Sequence, residues 1–431
     1  MTIFIFQLVL YLFLGFSFVF FKKYKWGLFI MVIGALLPYS PIFSAYFYHS
    51  GSTVFDFYII GLGLGSVCLS ICSKSRVTFT SKYIFILGII VLYVFLSYCL
   101  SLFNSTFVLI SALKDLKPML LIALLFYTYR VVTLTSNAHN ITNVEFISNR
   151  FYSVFLPILL CVKAFVFLYL NSSGHLSSGS NDDFYVTDSE MLTRYADFSI
   201  VFIFIMVLFS LGKRQIYSVS ALYYSFFGIV LSGVAGNRTF LVIFLFLAFY
   251  CLYKSRRILF YFILFCSSFI VSLLFINFDI DTSGRFFSIL SFDNVIKLLS
   301  VRYSPLLALY DGRESYFDYL FGLGLGTSFY IPWFAYRDGV DPFSPFIDNF
   351  YLTIFTKFGL LGVFLVIFSL FKIAFVVLKG VGLNFVFFIL FALYATTMSF
   401  WYQSSFSYLA ICWFTLFLTS FNAKKLASNG Y

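Results

Sequence analysis

Apolar runs of about 20 residues recur from one end of this chain to the other, and they constrain the fold more than any motif. A helix of that length crosses the hydrocarbon of a bilayer. Lipid offers no hydrogen bonds, so each spanning segment must satisfy its own backbone, which favours helices over open sheets. Composition agrees: 61% of the 431 residues are hydrophobic and the mean hydropathy is +0.98. A soluble domain is nearer 45–50% apolar. The expected fold class is an all-α integral membrane protein.

The runs fall near 2–21, 27–46, 56–72, 83–103, 118–136, 151–170, 195–211, 216–235, 239–253, 258–277, 351–378, 383–401 and 406–421. That makes about 13 transmembrane helices, or about 12 if one pair is re-entrant or interfacial. The expected organisation is an N-terminal bundle over 1–277, a large loop over 278–350 and C-terminal transmembrane helices over 351–431. Met1–Phe21 has no basic n-region and no small-residue cleavage site, so it reads as a retained span.

Lys and Arg orient these spans. One alternating set of connections holds Lys22, Lys23 and Lys25, then Lys74, Arg76 and Lys82, Arg130 with Arg150, Lys213 with Arg214, Lys254, Arg256 and Arg257, Lys379, and Lys424 with Lys425. The positive-inside rule makes that set cytoplasmic. The opposite side receives the acids, with Glu145 alone on the inner side, and it also receives the long segment Phe278–Ile347. That segment is expected as one large loop on the outer side.

The net charge of +11 is spread over short clusters between spans, so no stripe for nucleic acid forms. The seven cysteines lie inside apolar runs without a C-x-x-C pair, and three histidines are too few for a zinc site. There is no phosphate-binding P-loop and no H-E-x-x-H. Asp279–Asp281 spells the D-x-D that soluble glycosyltransferases use for a metal and a nucleotide sugar, but nucleotide sugars are not expected outside the membrane. Neither a cofactor nor a metal is expected.

Polar residues at the outer ends of the spans are the candidate chemistry. Arg238, in "AGNRTF", reads either as an interface anchor or as a bidentate anion clamp. "LKDLKP" places Lys114, Asp115 and Lys117 at a helix mouth, as a local pair with Asp115 or as a phosphate contact. "GLGLG" occurs at Gly61–Gly65, where Gly61 and Gly65 suit helix packing, and again at Gly322–Gly326. The second copy reads either as a tight turn or as a backbone approach to an anion. Asp348 and Asn349 either cap the following helix or also aim a carboxylate into a cavity.

The order of these pieces resembles a known family. "GNRT" at an outer turn is followed by a large loop holding "VRYSPLLALYDGRESYFDYLFGLGLGTSF", and then at once by "DNFYLTIFTKFGLLG". This arrangement resembles the bacterial O-antigen polymerases and, more distantly, the O-antigen ligases of the same superfamily. The resemblance covers most of the chain in layout and about 65 residues in motif.

The resemblance implies a glycosyltransferase of lipopolysaccharide O-antigen biosynthesis. Oligosaccharide repeat units on undecaprenyl pyrophosphate would be joined into a polysaccharide at the periplasmic face of the bacterial inner (plasma) membrane, with the segment Phe278–Ile347 as one large periplasmic loop and with no cofactor. The implied partners are that lipid-linked oligosaccharide, membrane lipids, and a chain-length regulator and flippase of the same pathway. The implied catalytic residues are Asp348, Arg238 and Arg302, with Arg285, Lys117, Asn349 and Gly324 binding substrate. The ligases carry a His-Asn pair where this chain has Asp348-Asn349, which favours a polymerase. A ligase, or a flippase for lipid-linked sugars, is the alternative.

Overall fold

The computed structural model describes residues 2–22, 25–36, 48–49, 52–73, 81–103, 107–135, 154–172, 198–212, 218–234, 237–255, 303–313, 315–332, 342–347, 349–381, 392, 394–396, 399–402 and 405–415. These residues are mostly helical. The helices are α1 (Thr2–Phe20), α2 (Lys25–Leu36), α3 (Val54–Cys72), α4 (Ser81–Phe103), α5 (Leu109–Thr135) and α6 (Leu156–Ser172). They continue with α7 (Phe198–Gly212), α8 (Ser218–Val234), α9 (Arg238–Ser255), α10 (Tyr316–Phe321), α11 (Phe350–Val381) and α12 (Ser405–Thr415). Two antiparallel hairpins join them: Tyr48–His49 with Ser52–Thr53, and Phe329–Tyr330 with Phe343–Ser344.

Among the described residues, two helices, Val54–Cys72 and Phe350–Phe368, are long and apolar enough to cross a membrane by length and composition. Eight shorter apolar helices accompany them. Large apolar side chains also face outward: Phe103 is 87% exposed and Phe364 is 69% exposed.

Helices α1 and α3 meet backbone to backbone. A Cβ on Gly61 would lie 2.1 Å from the Leu12 carbonyl oxygen, and one on Gly15 would lie 2.1 Å from that of Tyr58. The first "GLGLG" is therefore a packing face of the small-x-x-x-small kind. The core extends from this pair through Phe55, Phe198 and Tyr408 to α7, α8 and α9.

Two elements differ from the sequence expectation. Helix α5 begins at Leu109, nine residues before the expected start near 118, so "LKDLKP" lies inside a helix rather than at its mouth. Polar partners from distant segments make this possible, since a helix can carry a buried charge only when that charge is neutralised. Helix α11 is interrupted at Gly359 (φ 64°, ψ −169°), in the middle of what reads as one apolar run.

The late segment expected as one outer loop has internal structure where it is described. Residues 303–310 are helical, α10 follows, and Leu323 and Leu325 are buried. Phe329, Ile331 and Ile347 form a small core of their own with Leu306, Leu309 and Leu352.

Candidate functional site

The second "GLGLG" docks on the break in α11. Breaking a helix frees carbonyls that a continuous helix would bond. Here Thr356, Lys357 and Phe358 are the residues before the break. Leu323 N–H donates to the Thr356 carbonyl at 2.7 Å, and Gly324 N–H to that of Lys357 at 3.1 Å. Ser97 Oγ also donates to the Lys357 carbonyl at 3.3 Å, and Tyr93 OH donates to the Phe358 carbonyl. Leu325 N–H goes to the Ser97 carbonyl at 3.2 Å. The break is thus satisfied from α4 and from the glycine-rich strip together, as buried backbone carbonyls require.

Gly322 and Gly359 make this crossing possible. Both have positive φ, 82° and 64°. A Cβ on Gly322 would lie 2.5 Å from Gly359 N, and one on Gly359 would lie 2.3 Å from the Leu320 carbonyl oxygen. No side chain fits on either residue without moving the backbone.

A buried polar cluster sits beside the crossing. Lys357 and Asp115 form an ion pair, and both side chains are fully buried. The same carboxylate oxygen accepts from Tyr402 OH at 2.7 Å, while its other oxygen accepts from Gly326 N–H at 2.9 Å. The Lys357 ammonium also lies 5.0 Å from the centre of the Tyr402 ring. Asp115 is therefore held by α5's distant partners: α11, the glycine-rich strip and the short 3-10 turn Phe400–Tyr402. A buried carboxylate with this many donors is stable only as a complete set.

A second cluster lies further along α5. Lys117 pairs with Asp56 at 3.2 Å. Asp56 also closes a capping box at the start of α3, where Thr53 N–H donates to it at 2.8 Å, and Ser407 Oγ donates to its other oxygen. The expected local pairing of Asp115 within "LKDLKP" does not form. Neighbouring residues on a helix point to different sides, and Asp115 and Lys117 each find a partner from another element.

The predicted site residues are placed as follows. Asn349 caps α11: its Oδ1 accepts from Leu352 N–H at 3.0 Å. Ile347 is held against α11 by Thr353, whose Oγ1 accepts from Ile347 N–H at 3.3 Å and donates to the Asn349 carbonyl at 2.8 Å, and by Ser399 Oγ, which donates to the Ile347 carbonyl. Gly324 is buried at the crossing, and a Cβ there would lie 2.4 Å from Ser101 N. Lys117 is engaged with Asp56. Arg238 opens α9, but its side chain lies outside the described residues, as do Asp348, Arg285 and Arg302. In the late segment Arg313 pairs with Asp318 at 3.3 Å.

Asp115 and Tyr402 were not marked by the sequence as partners of Lys357. They stand 242 and 45 residues from it, and no local pattern links them. The signal was weaker: Lys357 lies inside an apolar run, where an ammonium is expensive to leave unpaired. Among the described residues, no group of three or more His, Cys, Asp or Glu side chains converges as a metal would need.

A family model matches residues 26–428, nearly the whole chain. The chain belongs to DUF6369, a family of unknown function. The match takes in both halves of the crossing, the strip Gly322–Gly326 and the helix α11, together with α5 and its charges. No curated protein matches this DUF6369 chain.

Proposed function

We propose that this chain is a polytopic inner-membrane glycosyltransferase that polymerises oligosaccharide units carried on undecaprenyl pyrophosphate. One observation carries the reading most. The two segments on which the resemblance to O-antigen polymerases rests are bonded to each other through their backbones, Leu323 to Thr356 and Gly324 to Lys357. The capped start of α11, which follows Asp348 in the chain, lies on the helix that the glycine-rich strip bonds two turns on, at Thr356 and Lys357.

In the proposed reaction, a sugar hydroxyl at the non-reducing end of a new lipid-linked unit attacks the anomeric carbon of the growing chain. The bond from that carbon to the pyrophosphate oxygen breaks, and the pyrophosphate leaves with the electron pair. Arg238 and Arg302 hold the leaving group and stabilise its charge. Asp348 takes the hydroxyl proton, a role worth about 10²–10⁴-fold. The transmembrane helices seat the polyprenyl tails.

A second reading has an observation of its own. The interruption of α11 at Gly359 adjoins the Asp115–Lys357 pair, and interrupted helices mark the binding sites of many transporters. A flippase for lipid-linked sugars would use such a site.

The lipopolysaccharide pattern of a strain lacking this chain separates the readings. A polymerase defect leaves single repeat units on the lipid core. A flippase or ligase defect leaves none. Unchanged ladders would remove all three.

A further inference from the structure

Helix α10 has the polarity of a water-facing helix turned inside out. Its charged residue is Asp318, whose side chain is only 15% exposed and is paired with Arg313 at 3.3 Å. Its large apolar and aromatic residues face outward instead. Tyr316 is 89% exposed and Phe317 69%, with Tyr319 and Leu320 exposed beside them. Phe317 and Phe321, one turn apart, stack their rings 6.0 Å from each other on one side of the helix. In water a helix turns its charges to solvent and its rings inward. An exposed patch of this kind marks a contact surface.

The place of α10 in the fold identifies what covers the patch. Exposure changes along α11 at its break. From Phe350 to Gly359 every residue is buried or half-buried, whereas Leu360, Leu361, Phe364 and Leu365 are exposed. Those residues belong to Phe350–Phe368, which is long and apolar enough to cross a membrane. Helix α10 ends at this change, since a Cβ on Gly359 would lie 2.3 Å from the Leu320 carbonyl oxygen. Its outward residues therefore stand level with the start of the outward apolar face of α11. Composition divides in the same way. The outward residues named on α11 are Leu and Phe, while α10 adds the tyrosines Tyr316 and Tyr319. A tyrosine suits the membrane–water boundary, where its ring is among headgroups and its hydroxyl is wet.

We propose that α10 is an interfacial anchor. Tyr316, Phe317 and Leu320 insert into the phospholipid headgroup region at the level of the break in α11, and so hold the strip Gly322–Gly326 at that depth. The Arg313–Asp318 pair leaves α10 without an unmatched charge of its own, which keeps insertion cheap. The proposal rests on α11 crossing a bilayer and not on the polymerase reaction.

Photocrosslinking tests it. The residue p-benzoylphenylalanine replaces Phe317, Phe364 or Asp311, one per variant, in the full chain. All three positions are exposed, so each variant should elute from size exclusion as the wild type does. Each is reconstituted into vesicles of phosphatidylethanolamine and phosphatidylglycerol and irradiated, and the adducts are identified by mass spectrometry of the peptides. Position 317 should give phospholipid adducts, as 364 does, at about tenfold the level at 311, the preference expected when an aromatic side chain leaves water.

An adduct between 317 and a peptide of a second copy would overturn the anchor in favour of a contact between copies. Lipid adducts at 364 but not at 317 would place α10 in water, and equal adducts at 311 and 317 would detach lipid contact from the aromatic face; either overturns the proposal. No lipid adduct at 364 or 317 would overturn the spanning reading of α11 and the anchor with it. The vesicles hold no sugar substrate, so these outcomes are independent of the ladder pattern and the two proposals can fail separately.

Discussion

Lys357 of α11 and Asp115 of α5 are 242 positions apart in the chain, yet they form an ion pair with no exposed side-chain surface on either residue. Tyr402 OH and Gly326 N–H complete the carboxylate's hydrogen bonds. This pair ties four distant segments together at the break in α11. Its removal should therefore be read in the fold before it is read in any activity.

Breaking the pair from one side leaves a charge buried without its partner. Asp115→Asn or Lys357→Met should each destabilise the protein by about 3–5 kcal/mol. The combined Asp115→Leu, Lys357→Met variant should recover much of that loss, because an apolar pair of similar volume is often neutral. Thermal unfolding of the purified chain in one detergent would measure both. A double variant no better than its parts would show that Tyr402 and Gly326, left without their acceptor, dominate the loss.

The crossing of Gly322 and Gly359 makes a sharper steric prediction. Alanine at either position meets backbone at 2.3–2.5 Å and must also adopt a positive φ. The conformational term alone is about 1–2 kcal/mol, and the clash adds to it. Gly312 has positive φ too, but nothing lies within 4 Å of its would-be Cβ. Gly312→Ala should therefore lose only the conformational term. Comparing the folded, monodisperse fraction of the three alanine variants by size-exclusion chromatography would check the ranking.

At the start of α11 the capping and catalytic roles separate. The cap acceptor is Asn349 Oδ1. Asn349→Ala should lower stability by about 1 kcal/mol, and Asn349→Asp should keep the cap. Under the polymerase reading Asp348→Asn leaves the fold unchanged and yields only single repeat units on the lipid core. Wild-type ladders from Asp348→Asn at matched protein level would remove Asp348 from the mechanism.

Arg238 distinguishes a clamp from an anchor. A guanidinium holds a phosphate through two parallel hydrogen bonds, which an ammonium cannot reproduce. Arg238→Lys should then make short or no ladders although its charge is kept. Normal ladders from Arg238→Lys would identify Arg238 as an interface residue.

Much of the helical pattern is legible in the sequence, because a helix in an apolar setting depends on a continuous run of residues and little else. The expected run near 239–253 is α9, and that near 56–72 is α3. The small-residue spacing of Gly61 and Gly65 also announced the close approach of α1, since only backbone size is involved. The extension of α5 through "LKDLKP" was not legible. Its charges mark a helix end when read alone, and Asp115 and Lys117 are tolerated there because Lys357, Tyr402, Gly326 and Asp56 neutralise or bond them.

The break at Gly359 is hidden for the same reason. Nothing in "TKFGLLG" distinguishes a packing glycine from one at φ 64°, and the amides that satisfy the freed carbonyls come from more than 30 residues upstream. Local sequence determined where apolar helices form, since that depends on neighbours along the chain. Which lysine meets which carboxylate was decided only by the tertiary structure, because a buried charge is governed by the groups that surround it in space.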